Sequence, residues 1–124
     1  MNIKTISIII FTLFFIGCAS KQPIKSFSST IIIKTPNMKY YDNGFIFHYQ
    51  NYIKLQLFNV GNVILDLDIY QNKICKGTFE CLSANDFNEQ YLHKSYKSDF
   101  LYNLFKNKKV NHRDRKNNIL IKIK

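Results

Sequence analysis

Residues 45–69, FIFHYQNYIKLQLFNVGNVILDLDI, decide the fold class. Phe45, Phe47 and Tyr49 alternate with Ile46, His48 and Gln50, so the two sets project to opposite faces. Ile53, Leu55 and Leu57 likewise face away from Lys54 and Gln56. Val60-Gly61-Asn62 reverses the chain. Val63, Leu65, Leu67 and Ile69 then alternate with Ile64, Asp66 and Asp68. A period of two sustained over this length marks half-buried antiparallel strands, with one face in the core and the other in water.

The pattern extends in both directions. Upstream, Ser29–Thr35 (STIIIKT) is β-branched and stops at Pro36-Asn37, and Asp42-Asn43-Gly44 reads as a turn. Downstream, Ile119–Lys124 (ILIKIK) places Ile119, Ile121 and Ile123 inward. Between these lies a different texture. Ser83-Ala84-Asn85-Asp86 matches a helix-start box, followed by Phe87, Tyr91 and Leu92 at helical spacing. Ser98-Asp99 can start a second helix with Phe100, Leu101, Leu104 and Phe105 on one stripe, and residues 107–118 read as a polar loop. About six strands, with one or two short helices before the last strand, predict a mainly-β protein: an immunoglobulin-like antiparallel β-sandwich variant. The usual core Trp of that fold is absent. A curled sheet packed by two helices is the competing arrangement.

The N-terminus has another character. Lys4 precedes an apolar run from Ile6 to Ile16, which is too short for the ~20 residues of a membrane-spanning helix and matches a secretory signal. The run ends in Phe15-Ile16-Gly17-Cys18, which resembles the lipobox of bacterial lipoproteins, although Phe15 departs from the usual aliphatic residue. The resemblance implies acylation of Cys18. Ala19 in place of Asp implies sorting to the outer membrane. The expected organisation is a signal peptide at 1–17, the lipidated Cys and a tether at 18–28, and a single domain at 29–124.

Of three cysteines, that leaves Cys75 and Cys81 in an oxidising compartment. A turn at Gly77 would set them across a hairpin at disulfide distance. No His stands near them at ligand spacing, so no metal is expected there.

The chain carries 18 Lys+Arg against 8 Asp+Glu, with the excess concentrated at the C-terminus. Residues 94–124 hold ten basic residues against Asp99 and Asp114. The dense runs, Lys106, Lys108, Lys109 and Arg113, Arg115, Lys116, are the candidate surface for an anionic partner: lipid phosphates, lipopolysaccharide or an acidic envelope protein. Aromatics and lysines invite comparison with nucleic-acid platforms. However, Asn, Ile, Lys, Phe and Tyr are all abundant together, as A+T-rich coding produces, and nucleic acid is not expected as a partner of an exported protein.

Catalytic patterns are missing. There is no P-loop, no G-x-S-x-G and no H-E-x-x-H. Asp66 and Asp68 share a strand face without a third carboxylate. His93, beside Ser95 and Ser98, has no evident orienting acid. The sequence therefore predicts a non-catalytic protein with no cofactor.

The lipobox at Cys18, the segment CKGTFECLSANDFNEQYLHKSY (75–96) and the following LYNLFKNKKV (101–110) resemble small lipoproteins of the Campylobacter and Helicobacter group. That resemblance implies an immunoglobulin-like domain on a lipid tether at the outer membrane, with no catalytic residues to carry over. The expected function is that of a non-catalytic binding or assembly module of the envelope. An adhesin or a periplasmic inhibitor or accessory factor is the alternative.

Overall fold

The computed structural model describes residues 2–6, 8, 17 and 21–124. Cys18 and most of the expected signal peptide lie outside the described residues. Residues 3–6 are helical, and among the described residues no helix is long and apolar enough to cross a membrane.

The strands are β1 (Lys25–Lys34), β2 (Lys39–His48), β3 (Ile53–Asn59), β4 (Asn62–Ile69), β5 (Lys73–Lys76), β6 (Glu80–Ser83), β7 (Val110–Asp114) and β8 (Ile119–Ile123). Two helices, α1 (Ala84–Tyr91) and α2 (Phe100–Phe105), lie between β6 and β7. All strands join one antiparallel sheet in the order β6-β5-β4-β3-β2-β1-β8-β7. The mainly-β antiparallel class, with two short helices ahead of the last strands, is as the alternation requires. The immunoglobulin-like pairing in two sheets is not what the registers draw. Strands β1 to β6 form a meander, and the chain then crosses from one edge of the sheet to the other. The crossing segment carries both helices. Period-two alternation is identical in either arrangement, so it could not distinguish them.

Residues directly opposite in register share a face. The inner face is built from Ile31, Ile33, Ile46, Ile53, Leu55, Leu57, Leu65, Leu67, Ile69, Ile74, Ile119, Ile121 and Ile123, all buried. Phe87 of α1 and Leu101 and Phe105 of α2 close the core against it. Helix α1 starts where its capping box puts it, with the Asp86 N–H donating to Ser83 Oγ at 3.1 Å. At six residues α2 is too short to be stable by itself and depends on its buried side chains.

Four expectations change. Strand β1 starts at Lys25, so residues 25–28 of the expected tether are strand, paired with Phe45–His48. Asp42-Asn43-Gly44 lies inside β2; the true reversal is at Thr35–Met38. There Met38 N–H donates to the buried Thr35 Oγ1 at 3.0 Å. Val63 points outward and is 50% exposed, because a β-bulge at Leu57/Phe58 shifts the β3–β4 register. Residues 107–118, expected as a loop, contain edge strand β7. Its polar outer residues, Asn111 and Arg113, disguise the inward Val110.

Cys75 and Cys81 face each other across the β5–β6 hairpin and form a disulfide, with Gly77 in the turn at φ 69°. The loop closed is short, so the chain-entropy estimate is only about 2 kcal/mol. Replacing both cysteines by serine should lower Tm by about 10 °C in a calorimetric scan. A maleimide applied to denatured, unreduced protein should label neither cysteine of the parent.

Candidate interaction surface

The outer face of the sheet is covered by no described helix or strand, and it collects side chains from distant parts of the chain. At the β7 edge, one row across the strands reads Arg113, Leu120, Lys34, Lys39, and its neighbour reads Asn111, Lys122, Ile32, Tyr41. Neighbouring strands are ~4.8 Å apart, so each row spans about 14 Å. Lys124 joins the group: its Nζ donates to Tyr41 Oη at 2.9 Å and stands 5.3 Å from that ring's centre. The hydrogen bond and charge of Lys124, with the charges of Lys34 and Lys122, hold the Tyr41 hydroxyl below the usual phenol range. Ile32, flanked in register by Tyr41 and Lys122, is 5% exposed although it faces outward. Long cationic stems beside a buried apolar residue are common on surfaces of this kind.

Next to these cations the face turns aromatic. Phe45 and Phe47 stack with ring centres 6.1 Å apart, and Phe58 meets Phe45 edge-on at 5.5 Å. Phe45 is 44% exposed. Past His48, Ile53 and Ile69 the alternation puts Tyr49, Tyr52 and Tyr70 on the same face. These three form a continuous stack at 4.6 and 5.0 Å, and Lys73 Nζ lies 4.6 Å over Tyr70. The chain enters β1 at this end, where Ile24 N–H donates to His48 O at 2.7 Å.

The six cations singled out in the sequence do not form one patch. All are exposed, but Lys106, Lys108 and Lys109 follow α2, Arg113 is on the outer face of β7, and Arg115 and Lys116 sit in the β7–β8 turn. Lys106 packs its Nζ 4.7 Å over Tyr102. Only Arg113 joins the outer-face group. Lys34, Lys39, Lys122 and Lys124 complete it, and none of them belongs to the dense runs that the sequence singled out. The pairing of β1 with β8 assembles them.

Asp66 and Asp68 also lie on this face. Lys54 Nζ reaches Asp66 at 3.3 Å and Asp68 at 2.9 Å, so the carboxylate pair holds a lysine. Burial pulls the Lys54 ammonium pKa down, but the hydrogen bond and charge of Asp68, then those of Asp66, outweigh it and leave the pKa raised.

Two polar clusters lie elsewhere. His93 Nδ1 contacts Ser95 Oγ at 2.8 Å, and the Ser95 backbone N–H donates to the same nitrogen at 3.1 Å. No described carboxylate orients the other side of that ring. Tyr96 donates to Asp114 Oδ2 at 2.6 Å and lies 3.1 Å from His112 Nε2; Asn117 donates to Asp114 twice. The Tyr96 and Asn117 hydrogen bonds pull Asp114 down to about 2, while burial and Asp114 push Tyr96 well above the phenol range. Phe100 stacks on Tyr96 at 4.5 Å and meets His112 edge-on. This cluster fastens the helical crossing to edge strand β7, beside an open depression of about 440 Å³ lined by Tyr96, Asp99, Phe100 and Asn103. Among the described residues no group of three or more His, Cys, Asp or Glu is placed to hold a metal ion.

No protein-family model, characterised protein or solved structure matches the chain.

Proposed function

We propose that the chain is a lipid-anchored protein of the bacterial outer membrane, and that its β-domain is a non-catalytic binding or assembly module. The observation that carries the reading is the outer face of the sheet, covered by no described helix or strand, with cations gathered at one end and exposed and half-buried aromatic rings running on from them. Side chains arranged in that way recognise a surface; they supply no nucleophile, base and orienting acid in mutual reach. The apolar run ending at Gly17-Cys18 supports the anchoring half of the proposal. So does the short connection, since β1 begins at Lys25, six intervening residues after Cys18. One acyl chain gives only marginal membrane binding, and several give a durable anchor.

The test is acyl labelling of cells expressing the full chain. The parent should incorporate labelled palmitate and partition into the detergent phase of a Triton X-114 extract. Cys18→Ser should lose both properties. A parent chain that takes up no label defeats the proposal.

A further inference from the structure

We infer that the outer face of the sheet is a membrane-apposed surface, which lies flat on anionic phospholipid headgroups on the leaflet that carries the anchor. This rests on the lipid-anchor reading above and names the partner of a face that no described helix or strand covers. Three observations meet on it. First, charge complementarity: Lys34, Lys39, Arg113, Lys122 and Lys124 cluster at one end of the face with no Asp or Glu among them in register. The acids further along the face, Asp66 and Asp68, are held by Lys54. A juxtamembrane cation gains about fivefold in binding to an anionic leaflet. Second, the aromatic residues run the whole length of the face, from Tyr41 through Phe45, Phe47 and Phe58 to the Tyr49–Tyr52–Tyr70 stack. Tyrosine rings concentrate at the bilayer–water boundary, where an amphipathic ring is satisfied on both sides, and phenylalanine rings there bury apolar surface. Third, reach: residues 19–24 extend to at most about 20 Å. The chain enters β1 beside the tyrosine stack, with Ile24 73% exposed. A tether of that length keeps the sheet within contact distance of the leaflet and lets it lie flat.

The arrangement also differs from a nucleic-acid platform. Five of the cations, Lys34, Lys39, Arg113, Lys122 and Lys124, are grouped at one end; beyond them Lys54 is engaged by Asp66 and Asp68 and Lys73 stands over Tyr70, so the cations do not track a backbone past successive stacked bases.

The chain contains no Trp, so a single introduced Trp is an unambiguous depth reporter. Full-length protein, purified in mild detergent, is reconstituted into vesicles of phosphatidylglycerol and phosphatidylcholine containing lipids brominated near the headgroup. Phe45→Trp should be quenched and blue-shifted, with Val63→Trp as a second reporter on the same face should the first not fold. Tyr102→Trp, on α2 across the core, should be neither. Adding Lys34→Gln, Lys39→Gln, Lys122→Gln and Lys124→Gln should abolish the quenching, as should about 1 M salt, where screening acts within ~3 Å. Solvent-like emission from both outer-face reporters overturns the inference. So does equal quenching of Tyr102→Trp, or a response of Phe45→Trp to a single-stranded oligonucleotide and not to vesicles. The mass of the Cys18 peptide, measured on the same sample, reads the anchor separately. An acylated protein with an unquenched face refutes this inference alone, whereas an unmodified Cys18 refutes the anchor.

Discussion

Gly44→Ala should cost about 3 kcal/mol or more, since it overpacks a filled site at the centre of the sheet. An added Cβ would stand 2.4 Å from the Gln56 carbonyl oxygen of the neighbouring strand, 2.7 Å from Leu57 Cδ2 and 2.9 Å from Ile31 Cδ1. The first of these is backbone in the β2–β3 ladder and cannot move without disturbing the Gly44–Leu57 pairing. Side chains could give way, but Leu57 and Ile31 are both fully buried and have nowhere to go. The expected readout is a Tm lower by about 12 °C or more. Gly61→Ala is the instructive comparison. It has open space around it but sits at φ 78° in the β3–β4 turn. Its cost is the left-handed backbone penalty, about 1–2 kcal/mol. A Gly44→Ala protein as stable as Gly61→Ala would refute the packing account.

Phe105→Ala should destabilise the protein by about 4 kcal/mol, read as a lower urea midpoint with the m-value retained. Phe105 is 1% exposed and is one of two fully inward residues of α2, the other being Leu101. A six-residue helix has no independent stability, so losing the ring leaves a cavity and weakens the hold on the sheet that α2 otherwise shares between Leu101 and the Phe100–His112 contact. Phe79→Ala, at a 94% exposed ring in the β5–β6 turn, should change stability by no more than about 0.5 kcal/mol. The contrast between the two phenylalanines tests whether the helical crossing contributes to the core or merely lies across it.

The strands β3, β4 and β8 were legible because each buries one face, and burial on one face is what writes a period of two into a sequence. The start of α1 was legible because its capping Ser83 and the periodic residues behind it are local. What depends on neighbouring strands was not. Gly44 read as a turn residue because glycine's commonest role is conformational; its role here is to admit a carbonyl oxygen from the next strand. The bulge that turns Val63 outward is a property of two strands in register and leaves no mark in one. Strand β7 was hidden since an edge strand buries few side chains and carries charge on the rest. The interaction surface was the least legible feature. Charge density along the chain pointed to Lys106–Lys109 and Arg113–Lys116, whereas the structure gathers Arg113 with Lys34, Lys39, Lys122 and Lys124. Only the pairing of the first strand with the last brings those five together. The contact of Tyr96 with His112 and Asp114 arises the same way, from a crossing that returns to a distant edge.

The pairing of β1 with β8 also dictates an order of assembly. Strands β1 to β6 can zip hairpin by hairpin as the polypeptide emerges, because each pairs with its predecessor. The other edge of β1 cannot close until Ile31 and Ile33 meet Ile123 and Ile121, the last apolar residues of the sequence. Until then Ile31-Ile32-Ile33 stands at an open sheet edge, a short β-branched run of the kind that templates intermolecular strand addition. Contacts so far apart in sequence are slow to form. The interval between emergence of β1 and arrival of β8 is therefore the stage at which a newly made molecule is most exposed to aggregation, and a chaperone that shields a strand edge would act there.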